Sequence, residues 1–548
     1  MVFPRKFQCT VKQKKKRREL IQAVNSNLIK QSQSMSRNKL NVVAFLSVNL
    51  AFMLIGSPAK AVIFNIGPNY EGITEDDHLE LNGRTVAPPD PVGAAGINHF
   101  VQFTNGVYEV RDKNSGTSVQ QSSDKNFWES AGVIDNTPGT TLGGDPRVLF
   151  DPQSNRWFTV GFDLNRPQDN INNSFLLAVS KSADPTQGWT GFQFGADPDG
   201  FTDFPTLGIN SQGVYLGGLL FDATRRPLKN VVISIPKSDL VSPTPTIDRM
   251  TRFDPLGFND YGYTIQPAVN LGVSSDSEPL LASDNKAFNG PSSQLFLANL
   301  SNTVATNASI SSPEIIAVDP YSRSKPALQP DGSQAIATGQ PRFSSSVKQV
   351  GNSLWGVGSG DNSGRSAIRW YEIDATTSAK LQEGTIDEPN SDFYAPSIAV
   401  NELGNVVIGF SASGLGDTQF PGAYAVVGET IGGKTTFSDP QLLKAGNTNY
   451  HPTDPTPFNE DLNDPNPVVE RWGDYTETSI DPTNPNRFWV TGEFALDVDR
   501  WGTQITAIDI TPTPVPEPPA TLGLIILGFS GAVYQFTKKG FPFAEKDK

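Results

Sequence analysis

The chain has 548 residues, with 43 Lys and Arg against 57 Asp and Glu, 49 Gly, 43 Pro, three His and one Cys. Gly plus Pro, about 17% of the residues, exceeds the roughly 12% of average proteins and points to turn-rich β-structure in a chain long enough to bury a large core. Cys9 alone excludes a disulfide framework, a cysteine zinc site and a cysteine nucleophile, and the scattered His78, His99 and His451 argue against a multi-histidine metal centre.

Residues 1–61 hold 12 basic residues and one acid, Glu19, leaving 31 basic against 56 acidic residues in the remainder. The run Lys14-Lys15-Lys16-Arg17-Arg18 reads as leader rather than nucleic-acid patch, because a secretory signal follows it. Arg37 and Lys39 form its basic start, 42–55 its apolar run and Ala59-Lys60-Ala61 its cleavage site. The apolar run is too short to span a bilayer permanently. Counting from Met35 gives a signal of ordinary length, so Met35 is the expected start of translation and Val62 the expected first residue of the exported chain.

From 62 to 510 no long helical periodicity occurs; a short strand, a turn and a second strand ending in small residues recur instead. The copies begin at Asp90, Asp145, Asp203, Gln266, Gln340, Ala395 and Asp474. With Pro91, Pro146, Pro205, Pro267, Pro341, Pro396 and Thr476 as the shared position, the spacings run from 55 to 80 residues, room for one four-stranded propeller blade plus loops. The predicted fold is all-β, a single β-propeller of about seven blades, six being the other count. Five copies continue into a third run of outer-strand character, at 174–180, 230–235, 294–300, 367–373 and 503–510. Residues 62–89 are expected to supply a closing strand or to cover the first blade. All eight tryptophans are assigned to blade packing, apart from Trp472 in the Arg471-Trp472-Gly473-Asp474-Tyr475 turn.

Ser182-Ala183-Asp184-Pro185-Thr186-Gln187-Gly188-Trp189 resembles a degenerate Asp box, with one extra residue before its glycine. With the stretches 145–189, 203–216 and 471–503, it makes the body similar to the sialidase-like, BNR-repeat propellers of secreted bacterial proteins. The resemblance implies a structural box, in which the Asp caps the turn and the Trp packs between blades. Fold does not carry activity with it.

After 510, Thr511-Pro512-Thr513-Pro514 is a stiff linker, followed by Val515-Pro516-Glu517-Pro518, an apolar segment 520–536 and Lys538-Lys539. This order resembles the PEP-CTERM sorting signal. The resemblance implies recognition at the inner membrane by an exosortase-type enzyme, cleavage near Pro516, Glu517 and Pro518, and release toward the cell surface or extracellular matrix. The domain plan is therefore signal region 1–61, propeller 62–510, and linker with sorting and transmembrane segment 511–548.

Inner strands of a propeller converge on one channel, which gathers Asp90, Asp145, Arg147, Asp203, Arg342, Arg471 and Asp474, with Trp472 and Tyr475 as ligand contacts. Three guanidiniums can clamp a carboxylate, and a sialidase-like glycoside hydrolase would add Tyr475 as nucleophile, Glu477 or Glu493 to activate it, and an Asp acid. Arginines beside acidic strand starts are also ordinary ion pairs, and that is the favoured reading. No cofactor is expected, although Asp197-Pro198-Asp199-Gly200 and the acidic stretch 459–464 offer oxygen ligands suited to Ca²⁺. The acidic body disfavours nucleic acid as partner. The reading is an exported surface or matrix propeller that binds carbohydrate or a protein, with a secreted sialidase-like hydrolase as the alternative. N-terminal sequencing of the exported chain is expected to start at Val62 and that of the precursor at Met35; precursor peptides beginning at Met1 would overturn the assigned start.

Overall fold

The computed structural model describes residues 62–134, 141–164, 173–195, 200–222, 226–272, 277–452 and 469–511. The signal with Ala59 and Ala61, the tail with Pro516, Glu517, Pro518, Lys538 and Lys539, and the acidic stretches 197–199 and 459–464 lie outside them. Among the described residues no helix is long and apolar enough to cross a membrane.

Short apolar runs closed by Asn, Asp and Gly turns pair as seven antiparallel sheets of four or five strands, each meandering from an inner to an outer strand. These are the seven blades of a β-propeller. The inner strands of blades 1 to 7 are Val92–Ala95, Arg147–Asp151, Phe201–Ile209, Tyr263–Pro267, Lys348–Val350, Ser391–Val400 and Glu477–Asp481. The runs read from sequence as outer strands are third strands of four, such as Ser174–Ser180 and Arg365–Asp374. They are mostly buried because neighbouring blades pack on both faces. All eight tryptophans are buried, Trp472 included.

Turns from first to second strand carry an Asx cap that organises the hairpin. Asp151 accepts from the Gln153 amide at 3.1 Å, Asn210 from the Gln212 amide at 2.7 Å, Asn401 from the Leu403 amide at 3.0 Å and Asp481 from the Thr483 amide at 2.8 Å. Two of these caps are gripped by a buried lysine of the next blade. Lys113 of blade 1 reaches Asp481 of blade 7, and Lys237 of blade 3 reaches Asp151 of blade 2, both at 2.9 Å. Close to the axis, inner strands bond directly to one another. The Ile209 amide donates to Ala268 O at 3.0 Å and the Val269 amide to Val347 O at 2.8 Å. Gly208 permits this approach, since a Cβ there would stand 2.7 Å from the Pro267 carbonyl carbon.

Residues 62–89 do both things expected of them. Phe64–Thr74 is the fourth, outermost strand of blade 7, paired antiparallel with Arg500–Ile510 in a register that sets Tyr70 against Ile505. Helix α1, Glu75–Asn82, follows behind a Thr74–Asp77 capping box and lies against blades 7 and 1. One buried glutamine ties the closure together. Gln102 of blade 1 accepts from the Ile73 amide at 3.0 Å and donates to the Thr503 hydroxyl at 2.8 Å, while that hydroxyl donates to Ile73 O at 2.7 Å. A Cβ on Gly72 would collide with both side chains.

Gln102→Leu leaves the Ile73 amide and one side of the Thr503 hydroxyl without partners in a dry interface. The expected loss is about 1–3 kcal/mol of unfolding free energy, read from urea denaturation as a lower midpoint with an unchanged slope.

Candidate functional site

At the mouth of the channel the inner strands of blades 1, 2, 3, 4 and 6 begin with a residue of left-handed φ. In blades 3, 4 and 6 one extra residue bulges out of the inner strand, between Asp203 and Thr206, Tyr263 and Gln266, and Tyr394 and Ser397. The bulged residues Phe204, Thr264 and Ala395 have φ of 51, 58 and 49°, and Asp90 and Asp145, ahead of Pro91 and Pro146, both have 48°. These are left-handed conformations that non-glycine residues hold only when the surroundings fix them. The fixing is visible in their amides. The Phe204 amide donates to Asp145 at 3.2 Å and to Asp203 at 2.8 Å, the Asp145 amide to Asn105 at 2.8 Å and the Thr264 amide to Asn230 at 3.1 Å; in blade 7, where φ is not left-handed, the Asp474 amide donates to Asp90 at 2.7 Å.

The carbonyl one residue further on is equally regular. Pro205, Ile265, Phe343 and Pro396 accept, in order, from Arg147 Nε at 3.1 Å, Thr206 Oγ1 at 2.9 Å, Gln266 Nε2 at 3.1 Å and Ser344 Oγ at 2.6 Å. This belt steps from blade 2 to blade 6, and Thr476 of blade 7 joins it at Ala395 O, 2.9 Å away. It also corrects the repeat alignment. Ile265, Phe343 and Tyr475 occupy the shared position, not Pro267, Pro341 and Thr476. The position needs a residue whose own amide the bulge leaves out of the ladder, which proline satisfies but does not monopolise.

Arg147 closes the channel. From blade 2 it donates across the axis to Ser344 O of blade 5 at 3.3 Å as well as to Pro205 O beside it. Its guanidinium lies 3.4 Å from the Tyr475 ring centre and 4.9 Å from that of Phe204, and Arg342 covers Phe204 at 3.4 Å. Tyr475, Arg147, Phe204 and Arg342 thus form one cation–π ladder. Arg342 and Arg471 both pair with Asp474, at 3.4 and 3.6 Å. The three arginines therefore do converge, but on neighbours already in place.

The remaining sequence candidates divide by depth. Asp90 is fully buried, whereas Asp145 and Asp203 are half-buried and the side chains of Asp474 and Arg471 keep 17% and 21% of their surface exposed. Trp472 and Tyr475 are wholly buried behind the mouth. Trp472 Nε1 donates to the Ser411 hydroxyl at 3.0 Å, and the Tyr475 hydroxyl donates to Pro146 O at 3.1 Å. The glutamates are committed elsewhere: Glu477 to Lys348 at 2.7 Å, and Glu493, fully buried, to the Gly473 amide at 3.0 Å. Three partners were missed by sequence reasoning. Asn105 sits in a Thr-Asn-Gly hairpin turn, Phe204 directly before Pro205, and Gln340, which accepts from the Tyr263 hydroxyl at 2.8 Å, opens a repeat copy. Only the pre-proline place of Phe204 could have flagged it.

Electrostatics follow from the crowding of acids. Burial, then the neighbouring Asp474, pushes the Asp90 carboxyl up to about 6, with Arg471 opposing. Asp145 rises well above the usual carboxylate range through burial and the charge of Asp203. Burial likewise raises Glu493 and Tyr475 well above their ordinary values. The accessible margin of the mouth carries the Arg471 guanidinium and the Asp474 carboxyl. Among the described residues no group of three or more His, Cys, Asp or Glu stands ready to hold a metal ion.

The Asp box behaves as the resemblance implies. Asp184 accepts from the Thr186 amide at 3.0 Å, and Trp189 packs edge-on against Tyr108 and Phe127 of blade 1.

Fold and mouth define a seven-bladed β-propeller whose axis is plugged by an arginine. No family model matches the chain, and no curated protein matches it in sequence. Among solved structures it is similar to a protein of unknown function from Dyadobacter fermentans, with 10% identity, a TM-score of 0.36, and coverage of 67% of this chain and 94% of that one. It is also similar to YjhT, at 11% identity and a TM-score of 0.35 over 64% and 97% of the two chains. A mutant of Trypanosoma rangeli sialidase displaying trans-sialidase activity shares 12% identity and a TM-score of 0.31, over 66% of this chain and 53% of that one. The propeller assignment stands on this chain's own sheet topology.

Carboxyls with raised pKa values bind protons more tightly in the folded than in the unfolded chain, whose carboxyls titrate near 4. Asp90 at about 6, with Asp124 and Glu75 each pushed by burial to about 7, therefore stabilise the fold fully below pH 4 and lose that contribution as pH rises through 6–7. His78, held neutral by burial, works the other way as a single group. The thermal midpoint is expected to be several degrees higher at pH 5 than at pH 8; an equal or reversed order would refute the assignment.

Proposed function

We propose that the chain is exported and that its propeller serves at the cell surface or in the extracellular matrix as a binding module, with the channel mouth as the contact for carbohydrate or a protein partner. The reading on location rests on the sequence: a signal ending at Ala61, an acidic body and a PEP-CTERM-like tail. In it, the apolar tail holds the chain transiently in the inner membrane until an exosortase-type enzyme processes it. The reading on chemistry rests on one observation above all. Several groups that a sialidase-like mechanism would set free are already engaged: the Tyr475 hydroxyl by Pro146 O, Glu477 by Lys348, and Arg342 and Arg471 by Asp474. Binding needs only the exposed margins of Arg471 and Asp474.

The hydrolase alternative draws its support from the convergence of Arg147, Arg342 and Arg471 at one mouth. A single experiment separates the two. The chain from Val62 is incubated with acidic and neutral polysaccharides, with and without Ca²⁺, and both retained polymer and released sugar are measured. Retention without release is expected, with affinity about tenfold lower in Arg471→Ala, equivalent to about 1.4 kcal/mol. Released oligosaccharide would establish the hydrolase instead, and neither retention nor release would leave a protein partner.

A further inference from the structure

Outside the mouth, one histidine is held in an arrangement that neither the fold nor the proposed binding explains. His451 lies between two carboxylates, with Nδ1 2.5 Å from Glu470 Oε1 and Nε2 2.8 Å from Asp331 Oδ2. Asp331 is at the tip of a small hairpin, Ala327–Leu328 paired with Gln334–Ile336, which forms its own two-stranded sheet and is hydrogen-bonded to blade 6 through Leu328. Glu470 immediately precedes Arg471 and is laced to the hairpin's return strand: its amide donates to Ala335 O at 2.8 Å, and its carbonyl accepts from the Ala337 amide at 3.0 Å.

The other charged groups around the imidazole are engaged elsewhere. The His451 amide donates to Val498 O, in a turn whose Asp497, Asp499 and Arg500 pair with one another and, through Arg500, with Asp76. On its own segment Lys444 pairs with Glu71. Among the described residues, Asp331 and Glu470 are thus the charges that the ring meets.

From this geometry we infer that His451 is a proton-operated latch, fastening the hairpin tip to the segment that carries Arg471 when the imidazole is charged and letting the tip go when it is neutral. An imidazolium donates from both nitrogens, but a neutral ring has one N–H and one lone pair. Two carboxylates then compete for one donor. Glu470 keeps it, being the closer and also held by Gln329 Nε2 at 3.0 Å. The Nε2 lone pair is left facing Asp331 Oδ2, a repulsive contact that opens the outer arm. Gln329 also bonds both ways to the Tyr450 backbone, at 2.7 and 2.9 Å, so the inner half of the assembly has no titrating donor and stays closed. The two hydrogen bonds and charges raise the His451 pKa from its ordinary value against the opposing burial. A raised folded-state pKa means that the latch contributes fully below about pH 6.5 and fades as pH rises through the folded value.

The test is amide hydrogen exchange on the full-length chain at pH 5.5 and 8.5, expressed as protection factors so that the intrinsic pH dependence cancels. Protection of residues 329–333 is expected to be measurably lower at pH 8.5 than at pH 5.5. In His451→Gln and in Asp331→Asn that pH-dependent fall should vanish. A fall that persists in both variants, or no fall in the wild type, would overturn the latch. If the variants do not fold, NMR titration of the wild-type histidine ring protons decides. A His451 midpoint above 6.5 supports the latch, and one at or below 6.5 refutes it. Neither readout involves a ligand, so the latch stands or fails separately from the proposed function.

Discussion

A positive charge placed where seven sheets meet must be neutralised without water, and the rest of the mouth is arranged around that requirement. Among the described residues no carboxylate pairs with the Arg147 guanidinium; two carbonyl dipoles from different blades and two aromatic faces hold it. A desolvated cation–π contact is worth on the order of 2 kcal/mol, and charge-assisted bonds to carbonyls add a similar amount each. That sum is smaller than the cost of burying an isolated charge. The shortfall accounts for the ring of acids nearby. Asp90, Asp145, Asp203 and Asp474 lie there, and burial, followed by the repulsion of neighbouring carboxylates, raises the pKa of Asp90 and Asp145. The positive-φ residues and the raised carboxyl pKa values are two faces of this arrangement, since the same aspartates hold the bulge amides.

Because the plug crosses from blade 2 to blade 5, the channel is not a conduit. At its rim Arg471, Asp474, Asp145 and Asp203 are half-buried. The His451 assembly abuts this rim through Glu470, so two differently titrating systems lie a few residues apart. Burial and the charge of Asp474 push the Asp90 carboxyl at the axis up to about 6, and the two carboxylates beside the imidazole at the edge raise it from its ordinary value against burial. Acidification strengthens both, by separate routes.

Much of this was legible in the sequence because propeller inner strands converge by construction, so that residues at repeat starts share a site whatever their separation. Asp90, Asp145, Arg147, Asp203, Arg342, Arg471 and Asp474 were found that way, and the blade count followed from the spacing. The individual partners were not legible. Ile265, Phe343 and Tyr475 stand where other copies have proline, and nearby Pro267 and Pro341 drew the alignment two residues off. The bulge constrains a backbone conformation, which several residue types satisfy. Phe204 gave no chemical signal, since its role comes from facing Arg147 across a blade boundary. Likewise, nothing in the order of residues tells that the Tyr475 hydroxyl points to Pro146 rather than toward a substrate.

The seam through which Phe64–Thr74 completes blade 7 fixes the order of events when this protein folds. Its partner strand lies more than four hundred residues downstream, so the contact order is high and the entropy of closing so long a loop falls due at the last step. Blades 1 to 6 are built from local meanders and can form as the chain emerges. The seventh cannot, because its outer strand is made first and its other three last. Until the final strand is available, the first one is an unpaired edge, open to pairing with another chain. The ring is therefore a timing device as well as a shape: it is finished only when essentially the whole propeller is present in one place.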